Sequence, residues 1–217
     1  MIVAIDGPAA SGKSTAAIGV AKALNITHLD TGAMYRAITY GLLKNKIEFT
    51  DLDAVEAYLS SVDLKFVKKT KSTKLLLNDS DITENIRSNN INENVSEVSA
   101  IKIVRDFMVK FQREMSGDID CVLEGRDIGT VVFPDAEFKF FLIADIQERA
   151  RRRKKEMEKQ GKVISLMELT AELEERDRKD STREHSPLKK AEDAVEIDTT
   201  GLSIAEQVNR IVEIVNK

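Results

Sequence analysis

Residues Gly7-Pro8-Ala9-Ala10-Ser11-Gly12-Lys13-Ser14 constrain the fold of this chain more than any other stretch. They follow Met1-Ile2-Val3-Ala4-Ile5, a short apolar run of the kind that forms a buried parallel strand. They precede a segment over 15–24 in which Ala17, Val20, Ala21 and Leu24 make one helical face. Strand, glycine loop and helix therefore stand in the order that the G-x-x-x-x-G-K-[ST] phosphate-binding pattern requires. Gly7 and Gly12 permit backbone angles that a side chain forbids, so successive amide N–H groups can turn inward on a phosphate. The helix N-terminus adds partial positive charge. Lys13 supplies a point charge for the β- and γ-phosphates, and the Ser14 hydroxyl can ligate Mg2+. A chance glycine turn matches the letters alone, but with the flanking strand and helix the pattern predicts a nucleoside triphosphate site.

The chain has 217 residues, enough for one large α/β domain with a real core. Its net charge of −4 argues against a general nucleic-acid binder, which carries a broad basic excess. A single cysteine, Cys121, excludes an internal disulfide and a cysteine metal cage, and its strand-like surroundings predict a buried, inert thiol. No apolar run approaches the roughly 18 residues that span a bilayer. The chain opens on a core strand, with Asp6 and Gly7 where the apolar stretch of a signal peptide would continue, so a cytoplasmic address is expected.

Further along, Thr27-His28-Leu29-Asp30 reads as a strand ending in a turn at Thr31-Gly32. A helix over 33–44 follows, with Met34, Ile38 and Leu42 at fourfold spacing. Thr50-x-x-Asp53 reads as an N-cap opening a helix to about 59. From 62 to 87 the character changes: strand-like pieces at 63–67 and 74–77, separated by the basic 68–73, predict a hairpin-like inserted subdomain. The Asn-rich 85–94 reads as a loop or short helix, and Val104, Met108, Phe111 and Met115 mark a helix face ending before Gly117. Strands are expected at 121–123, 138–143 and 194–197. Asp145-x-x-Glu148 and Ser165-x-x-Glu168 predict capping boxes on two charged helices joined near Gln160-Gly161. Ser203-x-x-Glu206 predicts another, opening a last helix with Ile204, Val208, Ile211 and Val215 toward the core.

Strands alternating with helices give an α/β fold, a five-stranded parallel sheet covered by helices on both faces. Its ligand belongs at the carboxyl ends of the strands, where Asp30, Glu124 to Asp127 and Asp198 also fall. Arginines concentrate on the same elements: Arg36, Arg105, Arg126, Arg149, Arg151, Arg152, Arg153, Arg176, Arg178 and Arg183. Phosphoryl transfer spreads negative charge over the moving group, and cations around a phosphate loop stabilise it. By composition alone 149–155 is a solvated helix face or polybasic patch. Yet Arg149, Arg152 and Arg153 share one helical face, as do Arg176, Asp180 and Arg183, so both faces can close over one ligand as a lid.

The stretches Asp30-Thr31-Gly32-Ala33-Met34-Tyr35-Arg36, Glu124-Gly125-Arg126-Asp127-Ile128-Gly129-Thr130-Val131-Val132-Phe133-Pro134 and Asp198-Thr199-Thr200 closely resemble bacterial cytidylate kinases. So does the run from Arg176-Asp177 through Arg183 to Ser186-Pro187-Leu188. The resemblance implies a P-loop kinase over 1–217, with an inserted acceptor-binding region at 36–116 and lid helices at 145–186. It implies transfer of the γ-phosphoryl group of ATP to CMP or dCMP with Mg2+, and ATP contacts from Gly7, Pro8, Ala9, Ala10, Ser11, Gly12, Lys13, Ser14 and Thr15. Arg36 and Arg126 match residues that hold the acceptor phosphate. Ser96, Arg105 and Asp127 match those around the cytosine, with Thr31 close by. Arg176 and Asp180 match residues that reach the sugar and its phosphate, and Arg183 one that reaches the transferring phosphates. Lys13, Arg126, Arg183, Arg149 and Arg153 are the expected catalytic cations. The family often has Asp where this chain has Glu124, so a metal role for Glu124 beside Ser14 requires a slightly different geometry.

Elementary chemistry reaches the same base. Cytosine offers an N4 amino donor that the Asp127 carboxylate can accept, and acceptors at N3 and O2 toward which Arg105 can donate. Uracil presents O4 to Asp127, acceptor against acceptor, and is disfavoured in a buried site. Ser96 and Arg105 lie nine residues apart, on opposite sides of an unbroken helix, so joint use requires a bend between about 99 and 102. Neither His28 nor His185 requires a catalytic role.

A related P-loop kinase for UMP or another small phosphorylated acceptor shares the loop and sheet. A GTPase is disfavoured, because Asn45-Lys46-Ile47-Glu48 ends in Glu and precedes the third parallel strand. A nucleotide-gated nucleic-acid binder using 149–155 conflicts with the net charge. Small nucleotides are the expected partners, without nucleic acid or membrane, and a monomer is expected because no long exposed apolar stripe is visible.

Overall fold

The computed structural model describes residues 1–68, 73–159 and 161–217. The basic stretch expected to separate the two hairpin strands falls largely on 69–72, and the helix joint at Gln160; both lie outside the described residues. Two compact units are present, one formed by Met1–Asp30 with Arg113–Lys217, the other by Thr31–Gln112.

The first unit is built on a parallel sheet of five strands: β1 (Ile2–Asp6), β2 (Thr27–Asp30), β6 (Cys121–Gly125), β7 (Phe138–Ile143) and β8 (Val195–Asp198). Their order is β2-β6-β1-β7-β8, so β1, nearly all apolar, is central. The register places Asp6 opposite Gly125, Asp30 opposite Glu124 and Ile143 opposite Asp198. The strands thus end together, and the segments that follow them emerge at one edge. Helices α1 (Lys13–Leu24) and α8 (Ile204–Val215) pack together, closing a core with Val3, Ile5, Val20, Val122, Phe140, Leu142 and Ile211. Cys121, at the start of β6, is a buried free thiol.

Helices α6 (Ile146–Lys159) and α7 (Leu166–Thr182) pair with one another, and Ala150, Leu169 and Leu173 form a second apolar cluster with Ala9 of the glycine loop. The Ser165–Glu168 capping box forms in both directions, as does Ser203–Glu206. The Asp145–Glu148 box does not. Asp145 Oδ1 accepts from the amides of Gln147 and Glu148, but its own amide donates to Thr200 Oγ1, and Glu148 is drawn instead to Arg152. On α8 the expected core stripe loses its first member. Ile204 is 58% exposed, because a side chain in the first turn leans back beyond the helix start.

The second unit holds α2 (Thr31–Lys44), α3 (Leu52–Ser60), an antiparallel sheet of β3 (Leu64–Lys68), β4 (Thr73–Leu77) and β5 (Ser80–Asp81), and α4 (Asn89–Val98). It also holds α5 (Lys102–Ser116) as far as Gln112. Four expectations change here. No turn separates β2 from α2: the helix starts at Thr31, and Gly32 falls in the first turn, where a poor helix former costs little. Asp51, not Thr50, caps α3, accepting from the Ala54 amide at 3.0 Å. The hairpin gains the third strand β5. The Asn-rich segment splits into a 3-10 turn at Asn85–Arg87 and the helix α4, whose buried stripe Ile91, Val95 and Val98 outweighs its polar composition. The bend expected between Ser96 and Arg105 is present as the break between Val98 and Lys102.

Candidate functional site

The glycine loop follows from two backbone angles. Gly7 has φ of +147°, and a Cβ there would lie 2.1 Å from the Leu142 carbonyl oxygen. Gly12 has φ of +96°, and its Cβ would meet Gln207 Oε1 at 2.8 Å. Only glycine tolerates both demands. Gly12 is also the residue before α1, so Lys13 and Ser14 already belong to the helix, two residues earlier than the sequence pattern predicts. Their amides are among the first N–H groups of α1, which lack helical partners and favour an anion.

Lys13 is buried, with Nζ 2.5 Å from the Pro8 carbonyl oxygen and 3.4 Å from Ser11 Oγ. Burial, then the positive charge of Arg126, push its ammonium well below the ordinary lysine range; Glu124 pulls against them, Arg176 adds to the push and Asp6 opposes it. A polyphosphate in the loop would bring negative charge to this ammonium and raise its pKa again. More distant residues brace it. Asp177 Oδ1 accepts from the Ala9 amide at 3.2 Å, and Arg149 Nη1 donates to the Ala9 carbonyl and to Asp177. Thr199 Oγ1 donates to the Ser11 carbonyl at 2.9 Å and receives Arg152 Nη1 at 3.0 Å. Arg149 is thus bound to the loop itself, while Arg153 pairs with Glu156 on its own helix.

At the end of β6, Glu124 is buried and accepts from Ser14 Oγ, while its other oxygen lies 3.1 Å from His28 Nε2. Burial pushes this carboxyl up, but the bonds from His28 and Ser14 and the charge of Lys13 outweigh it, so the group stays ionised. Among the described residues no group of three or more His, Cys, Asp or Glu could hold a metal. A hydroxyl and an ionised carboxylate in contact nevertheless fit Mg2+, which takes its remaining ligands from phosphates and water.

Beyond β6 come Arg126 and Asp127. Arg126 Nε donates to Asp180 Oδ2 at 2.8 Å. Arg183, the C-cap residue just after α7, lies 3.9 Å from Asp180 and 3.8 Å from Asp127, and donates from Nε to the Ser186 carbonyl at 2.7 Å. Burial raises the Asp180 carboxyl, but Arg126 and Arg176 draw it below the usual carboxylate range. Lys13, Arg126, Asp127, Arg176, Asp180 and Arg183 therefore form one electrostatically linked set. Asp198, by contrast, accepts from the Thr200 amide and serves the turn after β8.

The second unit carries the other predicted residues. Arg36 Nε lies 3.4 Å from Asn92 Oδ1. Arg105 is buried, stacked 5.3 Å over the Tyr35 ring and donating to the Ser99 carbonyl at 3.0 Å. Ser96 accepts from Ser99 Oγ at its carbonyl, and Thr31 is buried at the start of α2.

Sequence reasoning gave no site role to Asp6 or Arg113, set His28 aside as not catalytic, and quoted Asp177 and Thr199 in the resembling stretches without a role. Asp6 carried a weak signal, a carboxylate ending an otherwise apolar strand. Arg113 carried none, because its partners are backbone carbonyls.

The family model described as cytidylate kinase matches residues 3–217. The chain is 51% identical over 217 residues to a protein named cytidylate kinase from Fusobacterium nucleatum subsp. nucleatum, covering 100% of this chain and 98% of that one. A cytidylate kinase from Carboxydothermus hydrogenoformans is 46% identical over 217 residues, with the same coverage of 100% and 98%. Among solved structures, an uncharacterized protein from Eubacterium ventriosum is similar with a TM-score of 0.55 at 12% identity, covering 100% of this chain and 99% of that one. TT1252 from Thermus thermophilus has a TM-score of 0.50 at 17% identity, with 100% and 96% covered. Those two likenesses concern the fold alone. Agreement in sequence along the whole chain decides the family: this chain belongs to the cytidylate kinases.

Proposed function

We infer that this protein transfers the γ-phosphoryl group of ATP to CMP or dCMP, giving ADP and CDP or dCDP. The observation that carries the reading is the linked set of Lys13, Arg126, Asp127, Arg176, Asp180 and Arg183, on the same unit as a glycine loop whose buried lysine is held well below its ordinary range. The amides of residues 11–15 hold the ATP phosphates, and Lys13 balances charge on the β- and γ-oxygens. Ser14 and Glu124 would hold Mg2+, which would neutralise charge developing on the moving group.

Arg126 and Arg36 hold the acceptor phosphate so that one of its ionised oxygens faces the γ-phosphorus in line; no general base is needed. Asp180 orients Arg126 and, with Arg176, addresses the sugar side. Arg183 stabilises the equatorial oxygens in transit, and Arg149 and Arg153 add positive field from α6. Asp127 accepts the cytosine N4 amino group, while Arg105 and Ser96 address the acceptor edge and Thr31 flanks it. Helices α6 and α7 act as a lid over the phosphates. The protein works as a monomer in the cytoplasm with nucleotides as its partners, and among the described residues no helix is long and apolar enough to cross a membrane.

A coupled ADP-release assay across CMP, dCMP, UMP and AMP tests the reading. CMP and dCMP are expected to exceed UMP in kcat/KM by about 100-fold or more, because uracil sets an acceptor against the Asp127 carboxylate. Equal values for CMP and UMP would contradict it.

A further inference from the structure

The residues read as choosing the acceptor, Arg126 and Asp127, lie on a segment that is bonded at both ends by side chains from outside it. It continues into a π-helical turn, Ile128–Val132, entered through Asp127 at φ −147° and ψ 21°. The Asp127 carbonyl accepts from the amides of Val131 at 2.9 Å and Val132 at 3.1 Å, so any movement of the turn moves Asp127. Runs of this kind are short and cost energy, and they persist where surroundings enforce them.

Two side chains from elsewhere in the first unit supply that enforcement. Asp6, the last residue of β1, is 5% exposed, and its two carboxylate oxygens accept from consecutive amides: Oδ1 from Ile128 at 2.9 Å and Oδ2 from Gly129 at 2.8 Å. At the other end, Arg113 donates from Nε to the Val132 carbonyl at 2.8 Å and from Nη2 to the Val131 carbonyl at 2.9 Å. An anion on the N–H end and a cation on the C=O end match the dipole of the turn. Crowding at Gly129 leaves little slack, since a Cβ there would lie 3.2 Å from Lys139 Cδ and 3.5 Å from Asp6 Oδ2.

We propose that Asp6 and Arg113 are positioning residues for the acceptor nucleotide, pinning the two ends of the Ile128–Val132 turn so that Arg126 and Asp127 stand in place before any nucleotide binds. Asp6 immediately precedes Gly7, so one strand end sets both the phosphate loop and the acceptor turn. The inference rests on the reading that Asp127 selects cytosine, and the test separates the two.

Steady-state constants for CMP, UMP and ATP are compared among the wild type, Asp6→Asn, Arg113→Met and Asp127→Asn. The Asn amide accepts from one turn N–H and opposes its NH2 to the other. KM for CMP is therefore expected to rise about tenfold, with a smaller CMP preference over UMP and KM for ATP within about twofold. Arg113 is exposed, so Arg113→Met keeps the fold and raises KM for CMP about threefold. A parallel rise in the constants for ATP and CMP, or no rise in either, overturns the proposal. An unchanged CMP preference in Asp127→Asn removes the selection reading alone; the rise in KM for CMP then still decides for Asp6 and Arg113. Should Asp6→Asn not fold, amide hydrogen exchange on the nucleotide-free wild type decides. Ile128 and Gly129 are expected to be strongly protected, and exchange at the rate of exposed loop amides overturns the clamp.

Discussion

The phosphate loop and the acceptor turn sit at the ends of neighbouring strands, β1 and β6, yet they are made by different means. The loop takes its turn from residues within it, two glycines at positive φ, the start of α1 and Lys13 folded onto Pro8, and distant side chains (Asp177, Arg149 and Thr199) only brace that path. The turn takes its shape from a carboxylate 122 residues earlier and a guanidinium on another helix. A site that binds through backbone amides can be encoded in one short stretch. A site that reads a base with a side chain needs that side chain held, and the holders can lie anywhere in the chain.

The comparison breaks most visibly at Lys13. Lys13→Ala is expected to lower kcat by about 100- to 1000-fold in the ADP-release assay, since a preorganised charge on the transferring group is removed. Its melting temperature should hold, because a buried ammonium already pushed well below its ordinary pKa adds no net stability. A fall in kcat accompanied by unfolding would assign Lys13 to the scaffold instead.

Asp6 sharpens the contrast through pH. Burial raises its carboxyl from 3.8 to about 6, the amides of Gly129 and Ile128 oppose that, Asp127 adds to it and Lys13 subtracts; Lys139 packs beside the same turn. A folded-state pKa above the unfolded value means the folded protein binds this proton more tightly. The resulting contribution to stability is fully present below 3.8 and lost as pH rises through about 6. A difference of that size corresponds to about 3 kcal/mol. Urea unfolding of the wild type and Asp6→Asn at pH 4 and pH 7 isolates it, because the other carboxylates cancel in the double difference. A wild-type advantage that does not grow toward pH 4 would show that Asp6 ionises as an exposed carboxylate.

The smallest expected effect tests the far end of the fold. Ser203→Ala removes one half of a complete capping box and should cost about 1 kcal/mol by the same unfolding measurement, with kcat unchanged. A change in kcat would show that α8 reaches the loop through Gln207 beside Gly12.

Legibility in the sequence followed the range of the interactions. All five parallel strands were readable: the central β1, β6 and β7 are compact, largely apolar runs, and the edge strands β2 and β8 are short segments set between helices. The Ser165 and Ser203 boxes were readable because both partners lie three residues apart. The Asp145 box failed because a competitor from another segment, Thr200, takes the amide the box needs. Asn-rich composition left 85–94 open between loop and short helix, although Ile91, Val95 and Val98 marked the face of α4. In the candidate site, Lys13, Ser14, Arg126, Asp127 and Asp180 were found through motif spacing and resemblance. Asp6 and Arg113 were not, and Asp177 and Thr199 stood in the resembling stretches without a role, because each acts on backbone groups, which carry no residue-specific signature.

The central claim is that the protein holds ATP and CMP together, phosphate to phosphate. Calorimetric titration with an analogue joining cytidine and adenosine through a chain of five phosphates addresses it directly. Simultaneous engagement of both nucleotide sites predicts binding about 100-fold tighter than either CMP or ATP alone. An analogue that binds no more tightly than ATP by itself would contradict the account.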